Sequence, residues 1–324
     1  MSKSLQKGSS DIVGIIILVI IITILLASPK DPSKPPTFTN SNQVWSWTQG
    51  TTLTSIGSAN ARGGEAPSTS PSSSNYSSII SVSSGNAPYT YQSYEEYITI
   101  DNQSFSSIDI TDWQLRNGKD KRSYSQGGSL QRFSADIALI PQGTILLSPS
   151  GNSLMQNIVL NGGERAIVTT GSIGANSPYR IMSFKESICT GYIESLSDYA
   201  FSPALSQNCP SPAKDSGVEN LDSQCRNFIN TLYSCRTPEF NAKTSNGATC
   251  NTCVNGEILS SSCTAFIREH YSYRGCVAYH KNDQNFSGRT WRIFLGRGWE
   301  MWAKDYETIE LYDRLGQLVN FQNY

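Results

Sequence analysis

The stretch Tyr94 to Leu115 reads YEEYITIDNQSFSSIDITDWQL. Its first part, Tyr94 to Asp101, sets Tyr97 and Thr99 against Ile98 and Ile100, the two-residue period of a strand with one face in a core. Glu95 and Glu96 then face opposite sides of that strand and do not form an acid–base pair. Beyond a polar turn, Ile108 to Leu115 brings Ile108, Ile110 and Trp113 toward one core. The same texture extends both ways. Tyr76 to Val82, YSSIISV, makes a first strand. Ile137 to Ile140 and Thr144 to Leu147 flank the turn signal Pro141-Gln142-Gly143. Ile158 to Leu160 and Ala166 to Thr170 flank Asn161-Gly162-Gly163, a hairpin signal. Trp291 to Leu295, Thr308 to Tyr312 and Leu318 to Phe321 read as strands, with a turn at Asp313 to Gly316. Many short strands separated by turn signals predict a mainly β chain built as a β-sandwich.

The 324 residues carry a formal net charge of −1, and charged side chains make up only 16%. This is not the basic field that a nucleic-acid partner requires, so none is expected. The 16 Tyr and 6 Trp supply ample material for a packed core.

Ile12 to Ala27, IVGIIILVIIITILLA, contains neither charge nor proline. As a helix it would run about 24 Å, slightly short of a ~30 Å hydrocarbon core. Ser9, Ser10 and Ser28 can extend it, and Lys3 and Lys7 precede it, as the positive-inside rule wants. Three readings follow: an uncleaved anchor, a cleaved signal peptide, and a filament-packing helix. The last rests on Lys7-Gly8 before Ser9-Ser10-Asp11, which resembles the class III signal of archaeal pilins and flagellins. The adopted reading is the anchor. Residues 1–28 form a cytoplasmic stub and transmembrane helix, and 29–74 a Pro/Ser/Gly-rich linker interrupted by Val44, Trp45 and Trp47. Residues 75–324 form the exported domain. The expected location is the cell membrane, single-pass, with the C-terminal domain extracellular.

Glu96-Tyr97-Ile98, Ile110-Thr111-Asp112-Trp113-Gln114-Leu115, Ile140-Pro141-Gln142-Gly143, Leu160-Asn161-Gly162-Gly163 and the closing run Asp305 to Tyr324 occur in an order that resembles the lamin-tail domain, an immunoglobulin-like β-sandwich. The resemblance covers about Tyr76 to Gly174 and Arg289 to Tyr324. Asp112 stands where that family usually shows Gly. Cys189-Thr190-Gly191-Tyr192, Cys209-Pro210 and Tyr273 to His280 (YRGCVAYH) are similar to the variant found in exported proteins of small-genome microbes, where a Cys-containing insertion separates the first strands from the last. The resemblance implies an interaction or structural module with no catalytic residues to transfer.

The insertion spans 181–288 and holds all eight cysteines, from Cys189 to Cys276. In an exported chain they are disulfide candidates: Cys189, Cys209, Cys225, Cys235, Cys250, Cys253, Cys263 and Cys276. Eight cysteines allow 105 connectivities and the sequence selects none of them; one guess pairs Cys189 with Cys209, and Cys225 or Cys235 with Cys276. Asn220 to Cys235 predicts a helix, with Leu221, Cys225, Phe228, Ile229 and Leu232 on one face and Asp222 or Asn220 as cap. Cys263 to Tyr271 predicts a second helix, with Phe266 and Ile267 inward. A zinc set of Cys250, Cys253, Cys263 and Cys276, with His270 or His280, lacks the second C-x-x-C pair. No metal and no cofactor are expected.

The chain has no H-E-x-x-H, G-x-S-x-G or Walker motif. Ser211-Pro-Ala-Lys214 satisfies S-x-x-K only formally, between prolines. His280 with Asp283 and Asp305 is a candidate acid–base group, against the alternative of a hydrogen-bonded structural histidine. Trp299 and Trp302 beside Met301 form a candidate binding patch, with core packing as the alternative. Asn75, Asn102 and Asn285 head glycosylation patterns. The expected function is a non-enzymatic, membrane-anchored extracellular structural or adhesion module whose surface-protein or glycan partner is unidentified. The alternative is a self-assembling, pilin-like subunit.

Overall fold

Ile98 and Ile100 are both fully buried, and the β-structure grows outward from them. The computed structural model describes residues 73–148, 153–173, 181–196 and 201–324, all within the unit Ala66–Tyr324. In chain order the strands are β1 (Ile80–Ser83), β2 (Tyr97–Asn102), β3 (Ile108–Asp109), β4 (Gln114–Asn117), β5 (Ser123–Gln126), β6 (Ser129–Arg132), β7 (Ile137–Leu139), β8 (Val159–Leu160) and β9 (Arg165–Thr169). There follow β10 (Phe184–Ser187), β11 (Phe240–Lys243), β12 (Thr249–Val254), β13 (Glu257–Ile258), β14 (Ser287–Phe294), β15 (Thr308–Tyr312) and β16 (Leu318–Asn323).

A five-stranded sheet runs β1-β2-β9-β14-β10 and a four-stranded sheet runs β16-β15-β4-β7. One apolar cluster takes side chains from both: Ile80, Ile98, Val168 and Ile293 from the first, Leu115, Ile309, Leu311 and Val319 from the second. The two-residue period explains this. In β2 the buried positions are Ile98, Ile100 and Asn102, and Tyr97 and Thr99 lie on the other face. Trp113, Ile110 and Ile108 join the same core. Each such side chain contributes roughly 1.5–3 kcal/mol by leaving water.

The predicted run Ile108 to Leu115 is two strands. Its β3 pairs with β8, and β4 pairs with β15 and β7. The break falls at Asp112, whose φ is +63°. The expected hairpin across Asn161-Gly162-Gly163 is also corrected. Here β8 pairs with β3 while β9 pairs with β2 and β14, so the glycine turn carries the chain between separate pairings. Gly163 takes φ +71° there, a left-handed conformation that suits glycine.

The fold-class expectation needs three corrections. An immunoglobulin-like sandwich is built from antiparallel sheets, but β14 pairs with β9 in parallel. Parallel neighbours need a long crossover, and the insertion between β9 and β14 supplies it. The insertion is also not separate from the sheet, because its β10 forms the edge strand beside β14. Finally, no helix among the described residues is long and apolar enough to cross a membrane. The longest, Ser261–His270, spans about 15 Å against the ~30 Å required. The run Ile12–Ala27, the Lys7-Gly8 signal and the Val44-Trp45-Trp47 patch lie outside the described residues. The single-pass anchor, the membrane partner, the cell-membrane location and the pilin-like helix therefore have no support in the structure, which is that of a mixed, mainly β domain with helices.

Among the described residues there are four α-helices: α1 (Gly191–Glu194), α2 (Ser223–Ile229), α3 (Ser261–His270) and α4 (Tyr273–His280). Asp222 caps α2 by accepting the Cys225 N–H at 2.7 Å, and Ser260 caps α3 through the Cys263 N–H at 3.3 Å. The predicted Asn220–Cys235 helix is shorter, ending at Ile229. Leu221, Cys225 and Ile229 are buried as its spacing required, in one cluster with Cys263, Phe266, Ile267 and Tyr271. Helix α4, 8 residues long, carries no apolar period long enough to mark it in the sequence. Ser272 caps it through the Gly275 N–H at 3.0 Å, and a Cβ on Gly275 would lie 2.0 Å from the Glu269 carbonyl. The tight α3–α4 corner therefore requires glycine.

Candidate functional site

The cysteines close four bridges: Cys189–Cys276, Cys209–Cys235, Cys225–Cys263 and Cys250–Cys253, with Cα separations of 5.6, 5.3, 5.5 and 5.9 Å. These distances suit disulfides. The expected pairing of Cys189 with Cys209, and of Cys225 or Cys235 with Cys276, is wrong. Helix packing decides instead. Cys276 on α4 packs in one cluster with Cys189, beside α1, and Cys263 on α3 packs beside Cys225 on α2. The four cysteines of the zinc alternative are divided among three of these bonds. Among the described residues no group of three or more His, Cys, Asp or Glu side chains is placed to hold a metal ion.

The acid–base candidate resolves into a chain of carboxylates and imidazoles. His280 Nδ1 meets Asp283 Oδ2 at 2.8 Å. Its Nε2 stands 3.2 Å from Asp215 Oδ1, an ion-pair distance without hydrogen-bond alignment. The other Asp215 oxygen meets His270 Nδ1 at 2.7 Å. His270 lies between the rings of Phe266 and Tyr279, at 3.9 and 4.0 Å between centroids. Asp305 is exposed elsewhere and is not a partner of His280. Asp215 was missed because nothing in its local sequence marks it; the fold alone brings it between the two histidines. The arrangement ties the short 3₁₀ turn Pro212–Lys214 to α3 and α4. The glycosylation pattern at Asn102 is corrected too. That side chain is 1% exposed and donates to the carbonyls of Ser106 and Leu160 at 2.7 and 2.9 Å.

The segment holding Trp299 and Trp302 divides the predicted patch. Trp299 is 64% exposed, while Trp302 is 3% exposed and belongs to the core. Two buried carboxylates fasten this segment. Glu96 accepts the backbone N–H groups of Met301 and Trp302 at 2.7 and 3.2 Å. Burial raises its pKa although these bonds oppose the rise. Glu307 accepts the N–H groups of Gly118, Ala303 and Thr308 at 2.8, 3.0 and 2.9 Å, and takes Arg122 at 3.2 Å. Asn117 adds a bond to the Met301 carbonyl at 2.8 Å. Of these anchors, Glu96 and Glu307 lay in stretches that the sequence had singled out, and Asn117 and Arg122 did not.

Around the fastened segment lies a cleft of about 360 Å³, in the range of small-molecule sites. Lys119, Arg122 and Lys304 line it together with Asp136, Glu300 and Glu307, and Lys119 pairs with Asp136 and Arg122 with Glu307. Tyr91, 75% exposed, forms a wall, with the Lys304 ammonium 2.8 Å from its ring centroid. From the buried side Trp302 lines the cleft, and its indole Nε1–H has no acceptor among the described residues. Larger hollows, about 770 Å³ beside Leu154 and Val277 and about 590 Å³ beside Tyr233 and Arg236, are lined by no residue that leaves a buried polar side-chain atom unpartnered. No known protein-family model matches the chain, and no curated protein matches it significantly.

Proposed function

We propose that this chain acts by binding rather than by catalysis, as a rigid recognition module that matures in an oxidising compartment. The observation that carries the reading is that side chains with catalytic potential are committed to structural bonds. The eight cysteines are paired in four disulfides. His270 is hydrogen-bonded to Asp215 and His280 to Asp283. The buried carboxylates Glu96, Glu164 and Glu307 serve backbone N–H groups and cations. Four closed bridges are the mark of a chain folded outside a reducing cytosol. The exposed surface left to such a scaffold carries single large aromatics, among them Tyr89, Tyr91, Trp299 and Tyr306. Such residues supply rigid contact area at low entropic cost.

Turnover assays with the full chain test this. Ester, phosphodiester, peptide and glycoside substrates are expected to remain unhydrolysed, and Asp215→Asn is expected to lower the melting temperature only. Turnover that Asp215→Asn abolishes while the chain stays folded would overturn the reading.

A further inference from the structure

We propose that the Cys250–Cys253 bridge is a thiol–disulfide exchange site, opened by a dithiol while the other three bridges stay closed, and that its state sets how β12 pairs with β11. Access selects the bridge. Seven of the eight cysteines are buried, and Cys250 alone is partly exposed. Exchange begins when a thiolate attacks a sulfur it can reach, so the Cys250 Sγ is the point of entry. Loop length selects the same bridge. It spans 3 residues, against 26, 38 and 87 for the others. A disulfide constrains the unfolded chain least when the loop it closes is short, so opening this one costs the fold least.

Its position gives the opening a consequence. Both cysteines lie in β12. Residues three apart in an extended strand stand about 10 Å apart between Cα atoms, but these two stand 5.9 Å apart. The bridge draws β12 in, and the pairing with β11 slips at that point. Asn241 opposes Cys253, whereas Lys243 opposes Thr249, so two steps along β11 match four along β12. The inner end of β12 is fixed, because Val254 is fully buried in one cluster with Phe266 and Ile267. The slack that opening releases therefore goes to the outer end, between Lys243 and Cys250. Asn241, Lys243 and Thr244 line a hollow of about 730 Å³ there, and the bridge controls the shape of that surface.

The exchange balances as follows. One thiolate of the dithiol attacks the Cys250 Sγ. A mixed disulfide forms there, the Cys250–Cys253 bond breaks, and Cys253 leaves as a thiolate that is then protonated. The second thiolate attacks the reductant sulfur of the mixed disulfide, and Cys250 leaves as a thiolate that is protonated in turn. The protein bridge gains two electrons and two protons, and the dithiol becomes a cyclic disulfide.

The test titrates the full, folded chain with dithiothreitol, alkylates the free thiols and maps them by mass spectrometry, with hydrogen exchange on the same samples. Cys250 and Cys253 are expected to be alkylated together before any of the other six. The amides between Lys243 and Cys250 should then exchange faster, while those of β2 and β9 keep their rates. A second measurement fixes the point of attack. The free Cys250 thiol of Cys253→Ser is expected to react with iodoacetamide about tenfold faster than the buried Cys253 thiol of Cys250→Ser, since access governs thiol reactivity. The proposal is overturned if another bridge opens first or if all four open in one step. It is also overturned if hairpin exchange is the same in both states, or if the two single thiols react alike. Each of these results leaves the recognition reading standing, because that reading is decided by turnover.

Discussion

Glu96 accepts the backbone N–H of Met301 at 2.7 Å across 205 residues of chain. That bond and its neighbour to Trp302 join the start of β2 to the segment lining the cleft. A carboxylate held there by burial has opposing tendencies. The two N–H groups favour its charge, while loss of water disfavours it, and desolvation is the larger effect.

Glu96→Ala removes the acceptor for both N–H groups and should cost about 2–4 kcal/mol. The pH dependence has a definite sign. Because the folded pKa lies above 4.5, the stability that Glu96 contributes is complete below that value and is lost as pH rises through the folded pKa. Wild type should therefore gain stability relative to Glu96→Gln as pH falls from 7 toward 4.5. Thermal melts across that range decide it, and a difference that moves the other way contradicts the assignment.

Lys185 on β10 meets Glu164, just before β9, at 2.7 Å with the two side chains only 10% and 9% exposed. Burial pushes the Glu164 carboxyl up, but the Lys185 and Asn161 bonds bring it below its usual range. The contribution is thus present above pH 4.5 and fades as pH falls through the folded pKa. Lys185→Ala should destabilise by about 3–5 kcal/mol at pH 7, the cost of stranding a buried charge. The loss should shrink in acid. Urea unfolding at pH 7 and pH 4 measures both.

Asp112 holds φ +63° while donating its N–H to the Ile140 carbonyl at 2.9 Å. A left-handed conformation costs an L-residue roughly 1–2 kcal/mol, less for Asp than for most. Asp112→Gly should raise stability by up to about 1 kcal/mol, and Asp112→Val should lower it by more than that. A lower melting temperature for the glycine variant would contradict this account of the turn.

The Cys189–Cys276 bridge joins residues 87 apart in the chain. Replacing both by Ser should cost about 2–4 kcal/mol, read as a lowered melting temperature. The β2–β9 core should persist longer than the insertion in hydrogen exchange, since Ile98, Ile100 and Val168 are buried without help from any disulfide.

The strands were legible where the two-residue period ran uninterrupted. Thr308 to Tyr312 is a strand as read, and the expected strand Tyr94 to Asp101 begins only at Tyr97, leaving Glu95 and Glu96 before it; alternate burial leaves a direct trace in the sequence. The break at Asp112 was half legible. The expected glycine position marked the turn, yet an aspartate occupies it at positive φ. The parallel β9–β14 pair left no local mark, since it depends on where a long crossover returns the chain. The bridges were invisible for the same reason: Cys276 reaches Cys189 only once α4 has packed. In the cleft, Trp302 stood out by type. Tyr91, Lys119, Lys304 and Glu307 did not, because four separate stretches of chain are brought together there only by the fold.

The most direct test of the stapled recognition module is a disulfide map of the full chain by mass spectrometry under non-reducing conditions, taken from its native cells with thiols trapped at lysis. The structure predicts Cys189–Cys276, Cys209–Cys235, Cys225–Cys263 and Cys250–Cys253, with no thiol alkylated among the eight. Recovery of the mature chain with eight alkylated cysteines would contradict it.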